Sequence, residues 1–125
     1  MKTFFLDKNQ LTEIPQEFGY LKKITNLYLD YNLFSEVPNF IEHLFTLERI
    51  DLNDNKLKTL PTFLEKLPKL KALLLHNNSD LRIPAEVLGP TYTEVNDGVT
   101  AAKPTDILNY YLRIQTDRQP LNEAK

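Results

Sequence analysis

The chain has 125 residues, 42% hydrophobic and 26% charged, enough for one domain with a buried core. A net charge of −2, with Lys and Arg spread among the acids, argues against nucleic acid as the main ligand. The absence of cysteine excludes a disulfide framework and fits a cytoplasmic protein.

The N-terminus, M-K-T-F-F-L-D-K-N, has one cation and a three-residue apolar run, short of the roughly 7–15 apolar residues of a signal peptide. No stretch approaches the roughly 20 apolar residues of a membrane span, so no membrane partner is expected.

From here a repeat dominates. Asparagine falls at Asn9, Asn32, Asn55 and Asn78, and proline at Pro15, Pro38, Pro61 and Pro84, both on a 23-residue period. The apolar positions superimpose as well. Met1, Ile24, Leu47 and Leu70 form one column, Phe4, Leu27, Ile50 and Leu73 the next, and Leu6, Leu29, Leu52 and Leu75 a third. Leu11, Phe34 and Leu57 follow each Asn, then Ile14, Val37, Leu60 and Ile83. Phe18, Ile41, Leu64 and Val87 come next, then Leu21, Leu44 and Leu67.

The unit L-x-x-L-x-L-x-x-N-x-L-x-x-I-P-x-x-F-x-x-L-x-x resembles the leucine-rich repeat over about residues 1–88. The physics of the pattern agrees. L-x-L alternates with period two, so each unit opens with a short strand, and stacked units place these strands in one parallel sheet. The Asn amide should sit inside the coil and bond backbone groups left free by the turn out of the strand. Proline after Ile14, Val37 and Leu60 excludes a helix interior or central strand there, so the back of each unit is extended chain with a helical turn at most. The expected fold class is an α/β solenoid: an arc of about four repeats with a parallel concave sheet and a C-terminal capping helix.

The ends differ from the middle. Nothing precedes the first unit to cover Phe4, Leu6, Leu11 and Ile14, which fits a chain cut from a longer protein. The alternative is that this uncapped edge pairs with a second chain. After Asn78 the pattern slips, because Leu81 arrives one place late. Gly89 to Lys103 carries no repeat, and Asn96-Asp97-Gly98 reads as a turn. From Pro104 the pattern is helical, with Ile107, Leu108, Tyr111, Leu112 and Gln115 on one face, Thr105 as a candidate cap and Pro120 as a stop. Residues 89–118 thus form a cap of loop and helix, and 119–125 a linker toward a further domain.

The run K-P-T-D-I-L-N-Y-Y-L-R-I-Q, then R-Q-P-L-N-E-A-K, resembles the junction of Roco proteins over about residues 103–125. In that family leucine-rich repeats pass through a closing helix into a Ras-like GTPase domain. The resemblance implies that GTP binding belongs to a following segment. With glycine only at Gly19, Gly89 and Gly98, no phosphate-binding G-x-x-x-x-G-K-[ST] is present in these residues.

No catalytic constellation is legible, and neither a cofactor nor a metal is expected. His43 falls on the back and His76 on the concave face, so a shared metal site is not indicated. The column Asp30, Asn53 and His76 places a base near polar partners, but polar residues are ordinary at that wet position. A direct enzyme therefore stands as a third hypothesis without support. The concave face instead suggests protein recognition. Phe5, Tyr28 and Tyr31 form an aromatic cluster there, with Asp30, Asp51 and Asp54 as an acidic rim suited to a basic or amphipathic segment. Arg49, Asn53, Leu74 and His76 complete the expected partner-binding set. On the back, Phe40 and Phe63 share a column with Phe45 nearby, as filler or as a contact for another domain. The leading reading is the regulatory repeat region of a Roco-type GTPase, and the alternative a free-standing repeat adaptor or effector.

Overall fold

A computed structural model describes residues 3–6, 8–10, 12 and 23–117. The expected core positions Met1, Leu11, Ile14, Phe18 and Leu21, the side chain of Phe4, Pro15, and the tail from 118 lie outside the described residues.

Four strands of three residues, β1 (Thr3–Phe5), β2 (Asn26–Tyr28), β3 (Arg49–Asp51) and β4 (Ala72–Leu74), form one parallel sheet in that order. The register joins Thr3, Asn26, Arg49 and Ala72 in one row and Phe5, Tyr28, Asp51 and Leu74 in another. These are the rows the repeat predicts. Backbone bonds carry the ladder past the strand ends, from Lys8 N–H to the Asp30 carbonyl, Tyr31 N–H to Asn53 and Asp54 N–H to His76.

The leucine columns face the other way and are buried: Leu27, Leu29, Ile50, Leu52, Leu73 and Leu75 are all within 1% of full burial. A single row of apolar side chains per unit cannot shield itself, so each is covered by the units on either side. Prolines 38 and 61 precede 3-10 helices at Asn39–His43 and Thr62–Lys66, the short turns expected of the back.

The asparagines join the units. Asn55 donates its amide to the carbonyls of Leu29 and Leu52 at 3.0 and 3.1 Å, while its Oδ1 accepts from Phe34 N–H at 3.0 Å. Asn78 repeats this on Leu52, Leu75 and Leu57 N–H, and Asn32 on Leu6 and Leu29. Each amide thus satisfies backbone groups of two neighbouring units, which is why a polar side chain sits at that buried position.

The residue before each Asn is left-handed: Lys8, Tyr31, Asp54 and Asn77 have φ of 60°, 57°, 62° and 62°. This kink turns the chain out of the strand and lets the next side chain reach back to its own strand's carbonyl. For a Lys or Tyr it costs on the order of 1–2 kcal/mol.

The late Leu81 is accommodated by a 3-10 turn, Ser79–Leu81, followed by a left-handed Arg82 at φ 58°, and Leu81 is buried. Helix α1 (Ala85–Leu88) then ends at Gly89. The segment expected to be loop contains a second helix, α2 (Tyr92–Asn96), closed by a capping box between Thr91 and Glu94. Its end at Asn96, followed by Gly98 at φ 100°, matches the predicted turn. Helix α3 (Pro104–Asp117) begins at the proline itself, so Thr105 lies inside the first turn and is not its cap. Ile107, Leu108 and Tyr111 are buried in the common core while Gln115 is exposed, and the helix packs on α1 and on the 3-10 helix Thr62–Lys66. On the back, Phe40 is buried in the core, Phe63 packs against it and Phe45 stays exposed.

Candidate functional site

The sheet face opposite the core carries a row of interacting side chains that crosses three strands. The rings of Phe5 and Tyr28 are stacked, 4.8 Å between centroids and 11° between planes. That separation is about the spacing of neighbouring strands, so the register alone brings the rings into contact. On the side of Tyr28 toward β3, the Arg49 guanidinium carbon lies 5.1 Å from the ring centroid. Arg49 also grips Asp51 with two bonds, Nε to Oδ1 at 2.7 Å and Nη2 to Oδ2 at 2.9 Å. Burial works against the guanidinium charge, but the bonds and charge of Asp51 outweigh it and hold Arg49 above its ordinary value. Asn26 Nδ2 donates to the Tyr28 hydroxyl at 3.1 Å.

The predicted contact residues separate into two groups. Phe5 and Tyr31 are exposed, at 65% and 40%, and Tyr28, Arg49, Asp54 and His76 are half-buried. Asp30, Asp51, Asn53 and Leu74 are buried, so they offer little or no surface of their own. The expected acidic rim is corrected accordingly. Asp51 faces Arg49, and Asp54 accepts from Asn53 Nδ2 and Asn77 Nδ2 at 2.9 Å each.

The segment after α1 reaches this face. His76 Nε2 lies 2.9 Å from the Gly89 carbonyl, which fixes Nε2 as the donor. Tyr92 of α2 meets Tyr31 edge-on, with centroids 6.5 Å apart. An open hollow of about 210 Å3 is lined by Phe5, Tyr28 and Tyr92. Lys8, Asp30, Asp51 and Asn96 supply its polar wall. Lys8, Tyr92 and Asn96 were not among the expected partner-binding residues. The T-x-x-E capping box at Thr91–Glu94 marks the helix, but nothing local shows that it folds back over the strands.

Tyr31, left-handed and exposed, has its phenol pushed above the ordinary tyrosine value, chiefly by the Asp54 carboxylate, with burial, Tyr92 and Asp30 adding to it. Tyr31 thus sits among predominantly negative groups.

Among the described residues no group of three His, Asp or Glu side chains is placed to hold a metal ion, and no helix is long and apolar enough to cross a membrane. His76 and Asn53 follow one another in the third row, each with a buried acceptor, Nδ1 and Oδ1, that has no partner among the described residues. Among the described residues this row holds no Ser, Thr or Cys side chain.

The Leucine Rich Repeat family model matches residues 46–67, which run from just before β3 to the end of the 3-10 helix Thr62–Lys66. The matched stretch covers nearly one unit of the 23-residue period, and there the chain is similar to a leucine-rich repeat. No curated protein matches the chain.

Proposed function

We propose that the chain is a protein-interaction module: a solenoid arc of four leucine-rich repeats over residues 1–88, closed by a cap over 89–118, with no enzymatic activity of its own. The partner docks on the sheet face at the β1–β2 end. The observation that carries this is the stacked Phe5–Tyr28 pair, with Phe5 65% exposed beside Tyr31. A large aromatic held rigid by its neighbour loses little entropy when a partner covers it. Arg49, Asp54 and His76 are the polar residues that border it with surface to offer, and Asp30, Asp51, Asn53 and Leu74 act from beneath.

The partner is a protein or a neighbouring domain. The resemblance of residues 103–125 to the Roco junction favours the regulatory repeat region of a GTPase in the cytoplasm. The coding sequence after residue 125 tests that part. A G-x-x-x-x-G-K-[ST] soon after supports it, and a stop codon favours a free-standing adaptor. Pairing of two chains through β1 is the alternative reading of the first strand, tested by sedimentation of dilute protein.

The docking face is tested by a photo-crosslinking residue placed at Phe5 and, separately, at Phe45, both exposed, the second just after the 3-10 helix Asn39–His43 and off the sheet. Cross-links to a discrete partner from position 5 and not from position 45 support the assignment. The reverse pattern moves the site to the back.

A further inference from the structure

We infer that residues 89–102 form a hinged cover on the sheet face, which lifts as a unit and uncovers a second stretch of docking surface at Asn53 and Leu74. This rests on the reading that the face binds a protein, and adds the step that admits the partner.

The two ends of the segment meet. A Cβ at Gly89 would stand 2.7 Å from the Ala102 Cβ, so the chain leaves and re-enters the fold at one place, as an Ω-loop does. A loop closed in this way can swing out while the repeats and α3 keep their places. Between its ends it crosses the face. Gly89 sits at His76 in the fourth unit, and Tyr92 meets Tyr31 in the second. Asn96 reaches the hollow lined by Phe5 and Tyr28. The third unit lies under that path, and there Asp51 and Asn53 are each 1% exposed. Leu74 of β4 is equally buried, yet stands outside the leucine core.

The cover is lightly held. None of the residues from Gly89 to Ala102 is buried, whereas α3 places Ile107, Leu108 and Tyr111 in the core. The N–H groups of Val95, Asp97, Gly98 and Val99 donate to carbonyls between Thr91 and Val95, inside the loop itself. With the Thr91–Glu94 capping box, these bonds let α2 keep its shape when it lifts. The closed position also carries a penalty. Asn53 Nδ2 donates to the Asp54 carboxylate and His76 Nε2 to the Gly89 carbonyl, which leaves Asn53 Oδ1 and, in the neutral ring, His76 Nδ1 as acceptors. Both are buried without a donor among the described residues. Lifting the loop lets water, or the N–H groups of a partner, meet them.

The test uses the lack of cysteine in the chain. Leu74→Cys places a thiol beneath the loop and Leu73→Cys one in the leucine core, and each folded full chain is reacted with N-ethylmaleimide. The expected result is labelling at position 74 at least about a hundredfold faster than at position 73, with little dependence on urea below the unfolding transition. Tyr92→Ser, which removes the ring contact to Tyr31, should speed labelling at position 74 at least about threefold and at position 73 far less. Asn53→Cys, also beneath the loop, gives the same reading if Leu74→Cys does not fold. Labelling at position 74 that matches position 73 in rate and urea dependence would overturn the inference, as would a rate indifferent to Tyr92→Ser. If no local opening is seen while a partner still cross-links at position 5, the cover is wrong and the docking face stands. If the loop opens while no partner cross-links there, the docking face is wrong.

Discussion

Arg49 and Asp51, two residues apart on β3, form a bidentate ion pair in which Arg49 is 13% exposed and Asp51 1%. Their pairing joins the aromatic row of β1 and β2 to the covered half of the sheet, because Arg49 also faces Tyr28. Removing only the arginine leaves a buried carboxylate without its guanidinium. Arg49→Ala should therefore cost about 3–5 kcal/mol in denaturant unfolding, and the double change Arg49→Met with Asp51→Leu clearly less. A double variant at least as unstable as Arg49→Ala would show that the pair is not coupled as its geometry implies.

The asparagine ladder makes a second prediction. Asn55→Ala deprives Phe34 N–H of its acceptor and the Leu29 and Leu52 carbonyls of a donor, all buried. The expected loss is about 2–3 kcal/mol. The adjacent Asp54→Ala removes side-chain bonds to Asn53, Asn77 and Tyr31, none of them to buried backbone, at about 1 kcal/mol. Thermal melts that reverse this order would contradict the ladder.

How far such features were legible in the sequence depends on whether one unit contains their cause. The asparagines and leucines recur because each unit meets the same neighbours, so their burial follows from the 23-residue period. The left-handed residues obey the same period, yet Lys8, Tyr31, Asp54 and Asn77 share no chemistry that would announce it. The sheet rows were legible; their exposure was not. Asp30, Asp51, Asn53 and Leu74 point away from the leucine core and are buried nonetheless. A non-repeating segment, with Gly89 at His76 and Tyr92 at Tyr31, comes back to that face from a distance the period does not encode.

Gly89 positions that segment. Its φ of 77° and ψ of −155° lie in a region essentially reserved for glycine, and an added Cβ would fall 2.7 Å from the Ala102 Cβ. Gly89→Ala should destabilise by about 2–4 kcal/mol, part backbone strain and part clash. Adding Ala102→Gly should restore the clash part only. Equilibrium unfolding of the single and double variants measures both.

Tyr31 provides a titration. Its folded phenol value is raised, chiefly by Asp54, so the stabilisation of the neutral phenol is complete below the ordinary tyrosine value. It is lost as pH rises through the higher folded value. Carbon NMR of the labelled ring should place Tyr31 above a free tyrosine, and Asp54→Asn should bring it back toward the ordinary value. An unmoved titration in Asp54→Asn would assign the shift to another cause.

The central claim is that the β1–β2 end of the sheet face is where a protein partner is held. It is tested most directly by measuring the affinity of the cross-linked partner for the chain carrying Phe5→Ser and Tyr31→Ser together, both exposed positions. The account predicts an unchanged far-ultraviolet spectrum, a melt close to that of the parent, and at least about a hundredfold loss of affinity, as for paired anchor residues. Retained affinity in a folded double variant would contradict it.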